Sequence, residues 1–178
     1  MFRRLLIACF LGLGVFAADA NAADALYDAL LKAPPTGLPP SVAGAQTVPV
    51  ASDDADKRDR VIGILQVTFE SKDPLAKLNY VFFADASGAD AYIQRFNTLI
   101  GGSGGRPIML PYLPRANCAR SATEPKVICG IAADRVVMFS FATESEGTNT
   151  TGPTSLAGPL IKAAVDHLAR VKTASGKT

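Results

Sequence analysis

The chain has 178 residues, 48% of them hydrophobic and 19% charged, with a formal net charge of +2. This length suits one domain with a real core. A charge this near neutral excludes the basic excess that draws nucleic acid. One histidine and three cysteines leave too few ligands for a four-coordinate zinc site, because Cys9 falls in a removable leader.

That leader is "MFRRLLIACFLGLGVFAADANAAD". Arg3 and Arg4 make a positive n-region, Leu5 to Ala18 an apolar h-region, and Ala20-Asn21-Ala22 a small-residue cleavage site. The apolar run is shorter than the roughly 20 residues a bilayer core requires. "LIAC" at Leu6 to Cys9 resembles a lipoprotein box, but acylation at Cys9 would leave almost no h-region before it. Residues 1–22 therefore read as a cleaved signal peptide, 23–172 as a single domain and 173–178 as a frayed tail. The expected location is the periplasm or cell exterior of a bacterium, with no membrane span after cleavage. In that setting "NTT" at 149–151 is not a glycan site.

In chain order, "ADALYDALLKA" (23–33) reads as a short helix ended by Pro34 and Pro35. A Pro/Gly loop follows, then a short edge strand at 46–50 that tolerates Pro49. "ASDDADKRDR" (51–60) is a solvated connector. Asp53, Asp54 and Asp56 lack the spacing and the distal Glu of a calcium loop, and Lys57 and Arg58 interrupt them. "RVIGILQVTFES" (60–71) is a strand with Val61, Leu65, Val67 and Phe69 on one face, and "AKLNYVFFAD" (76–85) is its returning partner. Leu78/Tyr80/Phe82 and Asn79/Val81/Phe83 form the two faces of that partner, and the pattern does not select which of them is inward.

"SGADAYIQRFNTLIGG" (87–102) carries Ala89, Tyr92, Ile93, Phe96, Leu99 and Ile100 as one helical stripe, with Ser87 as N-cap and Gly101 as the stop. "GGSGGR" (101–106) follows a helix instead of preceding one and lacks Lys-Ser/Thr, so it reads as a flexible linker and not a phosphate cradle. Three more strands are expected, in "NCARS", "KVICGIAAD" and "RVVMFSFATE", before a closing helix within 154–172. That helix buries Leu160, Ile161, Ala164, Val165, Leu168 and Val171. Strands arriving in hairpins give an α+β fold: a mainly antiparallel sheet of five to six strands with helices packed on one face.

Cys118 and Cys129 are the two cysteines left in the mature chain. Ten residues separate them, unlike a C-x-x-C redox motif. If a hairpin turns at Thr123-Glu124, Cys118 stands opposite Cys129 and Ser121 opposite Lys126, close enough for a disulfide. In an oxidising compartment that pairing is a staple worth on the order of 3 kcal/mol.

Chemistry is sparse. His167, on the closing helix, reads as a helix-flank residue near the C-terminus. The functional alternative is a general base with Ser or carboxylate partners from distant segments. "PIMLPYLPR" (107–115) places Met109, Leu110, Tyr112 and Leu113 in a loop, either as a lid over the core or as a binding surface. The expected function is a non-catalytic exported domain that binds a small ligand or an envelope protein, as monomer or homodimer, with no metal or cofactor. The alternatives are an envelope hydrolase using His167 and a self-associating structural protein.

Overall fold

A computed structural model describes residues 25–42, 44–53, 56, 58–70, 76–143 and 156–175. The signal peptide, the 72–74 turn, the 145–153 loop with its sequon and the last three residues lie outside the described residues. A helix at 25–32 (α1) precedes three strands, Gln46–Val50 (β1), Val61–Thr68 (β2) and Ala76–Phe83 (β3). Helix Ala86–Gly102 (α2) crosses to four further strands, Arg106–Ile108 (β4), Asn117–Arg120 (β5), Lys126–Ala133 (β6) and Val136–Thr143 (β7). Helix Ala157–Ser175 (α3) closes the chain, reaching three residues into the segment expected to fray.

All seven strands form one antiparallel sheet in the order β1-β2-β3-β7-β6-β5-β4. The fold is α+β, but with seven strands where five to six were expected. The additional one is β4, three residues inside the supposed linker and loop. It is short and contains Pro107, so neither alternation nor β-propensity announces it. The glycine segment before it makes a tight connection: Ser103 N–H donates to Leu99 O, Gly105 N–H donates to Ile100 O, and Gly104 has φ +72°. Both edge strands carry a proline, Pro49 in β1 and Pro107 in β4.

The second correction concerns the helices, which cover both faces of the sheet. Leu26 and Leu30 of α1, with Ile161, Ala164 and Leu168 of α3, pack on Leu65, Val67, Leu78, Tyr80, Phe82, Val136 and Met138. Ala89 and Ile93 of α2 pack on the opposite side, against Val61, Val81, Phe83, Val137 and Phe139. The cause is visible in β3 and β7, whose apolar residues do not alternate with polar ones. A strand apolar on both sides has to be covered on both sides.

Within β2 the predicted grouping of Val61 with Leu65 and Val67 fails. Val61 pairs with Phe83 and Gly63 with Phe82, so Ile62 is an extra residue in a bulge. A bulge reverses the facing of everything before it. Val61 therefore joins the α2 layer, while Leu65 and Val67 stay in the α1/α3 layer.

Two glycines set how closely the helices approach. A Cβ at Gly63 would lie 2.9 Å from the Tyr27 ring of α1. One at Gly130 would lie 2.8 Å from both Phe96 and Phe139 and 3.0 Å from Ile93. Helix α2 starts one residue earlier than predicted and is capped by Asp85, not Ser87. The Asp85 Oδ1 accepts from Gly88 N–H at 2.8 Å and from the Ser87 hydroxyl at 2.7 Å. At α3, the buried Ser140 hydroxyl donates to Ala157 O at 2.7 Å, fixing the first turn of the helix on β7.

Candidate functional site

Helix α2 lies over β6, β7 and the end of β3, and among the described residues no other helix packs on that face. Beside it runs a groove of about 620 Å³. Its floor is Ile64 of β2, Asn79 and Val81 of β3, and Phe139 and Phe141 of β7. The wall is the flank of α2, where Tyr92, Phe96 and Leu99 recur one to two turns apart. Register explains the floor: Ile64 stands opposite Val81, and Val81 opposite Val137; one row on, Asn79 stands opposite Phe139.

The aromatic residues are tightly arranged. Phe96 and Phe139 meet with ring centroids 4.7 Å apart, edge to face, and Tyr92 reaches Phe139 at 5.9 Å and Phe83 at 5.2 Å. Leu99 is 71% exposed, a large apolar side chain standing at the rim. Arg95 lies 5.6 Å above the Tyr92 ring and pairs with Asp59 at 2.7 Å, closing one end. Burial, with Asp56 and Asp59 adding to it, raises the Tyr92 phenol above its usual pKa, so it is a neutral donor at physiological pH.

At its other end the groove continues into a hollow of about 310 Å³, sharing Asn79 and Phe141 with it. Gln66, Lys77, Lys126 and Thr143 line this extension. The Gln66 side-chain amide donates to Asn79 Oδ1 at 3.1 Å, giving the floor one fixed polar pair. An apolar trench with a few placed polar groups has the composition of a small-molecule site.

His167 is not at this groove. It is 3% exposed and lies under the opposite face of the sheet, where Tyr80 Oη and His167 Nδ1 are 3.0 Å apart. His167 was expected on the helix flank, beside the apolar stripe of Ala164 and Leu168; the structure carries it inward with that stripe. Burial lowers its pKa to about 4, with Arg170 acting in the same direction and the Ala33 backbone opposing. Burial also holds the Tyr80 phenol above its usual pKa. A neutral imidazole accepting the Tyr80 proton at Nδ1 carries its own proton on Nε2, which has no hydrogen bond of good geometry among the described residues.

The apolar loop divides. Leu110 is buried in the α1/α3 layer and Leu113 packs against it, while Met109 is 82% exposed and Tyr112 half exposed. Cys118 and Cys129 are directly opposed, with their sulfurs 2.04 Å apart, and Ser121 N–H donates to Lys126 O as the predicted turn requires. Among the described residues no cluster of His, Cys, Asp or Glu is arranged to hold a metal, and no helix is long and apolar enough to cross a membrane. Sequence reasoning found the α2 stripe and the strand in "RVVMFSFATE", but not the trench between them. The available signal was Phe141 and Leu99, apolar residues on facing sides of the trench. No protein-family model matches this chain, and no curated protein is found to be similar to it.

Proposed function

We propose that this protein is an exported, non-catalytic binding domain that holds an apolar or amphipathic small molecule in the groove beside α2. The observation that carries the reading is the continuous apolar trench of Ile64, Val81, Tyr92, Phe96, Leu99, Phe139 and Phe141. Its size falls in the range of pockets that enclose small ligands. Export is supported by the signal-peptide pattern of residues 1–22 and by a disulfide of the kind an oxidising compartment preserves.

The hydrolase alternative depends on His167, and the geometry works against it. That imidazole is on the far side of the sheet from the trench, with Nδ1 occupied by Tyr80. Self-association through strand edges is opposed by Pro49 and Pro107, because each removes a ladder donor from its edge.

Titration with an apolar fluorescent reporter such as anilinonaphthalene sulfonate tests the proposal. Saturable one-to-one binding is expected in the native protein. Leu99→Arg, at an exposed rim position, is expected to abolish binding without lowering the melting temperature. Equal binding by the variant would refute the groove as the site.

A further inference from the structure

We infer that the groove binds a single-chain amphiphile with an anionic head, of the long-chain carboxylate class, oriented with its head at Lys77 and Lys126 and its tail toward Tyr92 and Ile64. The inference rests on the binding-domain reading and adds ligand class and polarity to it. Three features of the trench support it.

The first is the distribution of charge. The central floor and wall are apolar, and charged groups stand at the ends. At one end Arg95 and Asp59 neutralise each other at 2.7 Å. At the other, Lys77 and Lys126 line the hollow with no carboxylate among its described lining residues. Lys77 makes no ion pair among the described residues. Lys126 pairs with Glu124 at 2.6 Å, but both side chains are about half exposed, and such surface pairs exchange partners at little cost. Among the described residues, each end therefore holds one surface ion pair, and the Lys77 end carries one further cation.

The second feature is shape. Val81 and Lys77 lie on the same face of β3, four residues apart, which is roughly 13 Å of strand and the reach of an alkyl chain of roughly ten carbons. The floor along that path is one strand-width of side chains, Val81, Asn79 and Phe141, bordered by Phe96 and Leu99. Among the described residues no helix packs along the β1–β2 side of this face to give a second alkyl chain a matching wall. The third is the Gln66–Asn79 amide pair, which stands where the apolar trench gives way to the cationic hollow and marks a boundary between tail and head.

The test uses three twelve-carbon ligands below their micelle concentrations at low salt: dodecanoate, neutral monolauroylglycerol and dodecyltrimethylammonium. The purified mature protein is expected to bind dodecanoate roughly tenfold tighter than the neutral ester, from two exposed charge contacts, with the preference shrinking as salt is added. Lys77→Glu with Lys126→Glu is expected to remove the preference and leave the affinity for the ester unchanged. Lys77→Gln with Lys126→Gln serves if the charge reversal unfolds the protein. Nuclear Overhauser contacts from the terminal methyl of dodecanoate should fall on Tyr92 and Ile64. Equal affinity for acid and ester, a preference for the ammonium, or methyl contacts at Lys77 would overturn the inference while leaving the binding groove in place. Binding of none of the three, or a dimer that occludes the groove, would overturn both readings.

Discussion

Acidification from pH 6.5 to pH 4 should destabilise this protein through one side chain. The unfolded chain takes up a proton at His167 near pH 6.5, whereas burial keeps the folded chain from doing so until about pH 4. In that window the unfolded state binds more protons, so stability rises with pH. The His167 contribution is complete above pH 6.5, is lost as pH falls toward 4, and changes no further below that. The gap between the two values, at about 1.36 kcal/mol per pH unit, sets the loss at about 3 kcal/mol. That is a large fraction of the stability of a domain this size. The structural event is definite: a protonated Nδ1 no longer accepts the Tyr80 hydroxyl proton, in a site 3% exposed. Urea unfolding midpoints measured at half-unit steps between pH 7.5 and pH 3.5, for the native protein and for His167→Phe, isolate the effect. The carboxylates are common to both proteins and cancel in the difference. The variant starts lower by about 1 kcal/mol, because Tyr80 loses its partner, and its curve should be flatter by about 3 kcal/mol across the window. Parallel curves would refute the claim that the imidazole is buried neutral.

Three further outcomes follow from the packing. Gly130→Ala should destabilise by about 1–3 kcal/mol, since the new methyl meets Phe96, Phe139 and Ile93 together; Phe96→Leu in the same chain should recover part of that in a thermal melt. Leu110→Ala should cost about 2–5 kcal/mol, whereas Met109→Ser, on an 82% exposed neighbour, should change the urea midpoint by no more than about 0.5 kcal/mol. Reducing Cys118–Cys129, or replacing both with Ser, should cost on the order of 3 kcal/mol, and the unreduced native protein should show no free thiol by reagent titration after denaturation.

Much of the fold can be read in the residues, because local signals and tertiary demands coincide. The α2 stripe, the closing helix and the Cys118–Cys129 register follow from periodicity and from the geometry of one hairpin. Three features do not. Ile62 looks like one more apolar strand residue, and only pairing with β3 exposes it as a bulge. Arg106-Pro107-Ile108 forms a strand because β5 offers it an edge, a reason that lies outside the segment. His167 has the spacing of a core position and the composition of a surface one, and its burial depends on Tyr80, 87 residues away. The groove is harder still. It is the area that α2 does not cover, and each of its apolar residues would also serve as ordinary core. Both faces of β3 carry apolar residues, yet a single helical layer was expected; the second layer becomes evident only where α2 packs on Val81 and Phe83.

The strand order also has a consequence for how the chain comes together and apart. Strands β1 to β3 pair only in sequence order, as do β4 to β7, so nearly every ladder joins near neighbours along the chain. The one exception is the seam between β3 and β7, where Ala76 meets Ala142 and Phe82 meets Val136. Contacts that distant in sequence require a long loop to close and are slow to form. This seam is also the most deeply covered part of the sheet, while β1 and β4 are largely exposed. Opening from either edge is therefore the low-energy fluctuation, and it peels outer strands from two meanders that remain joined. The slowest contact to make is the last one to be lost.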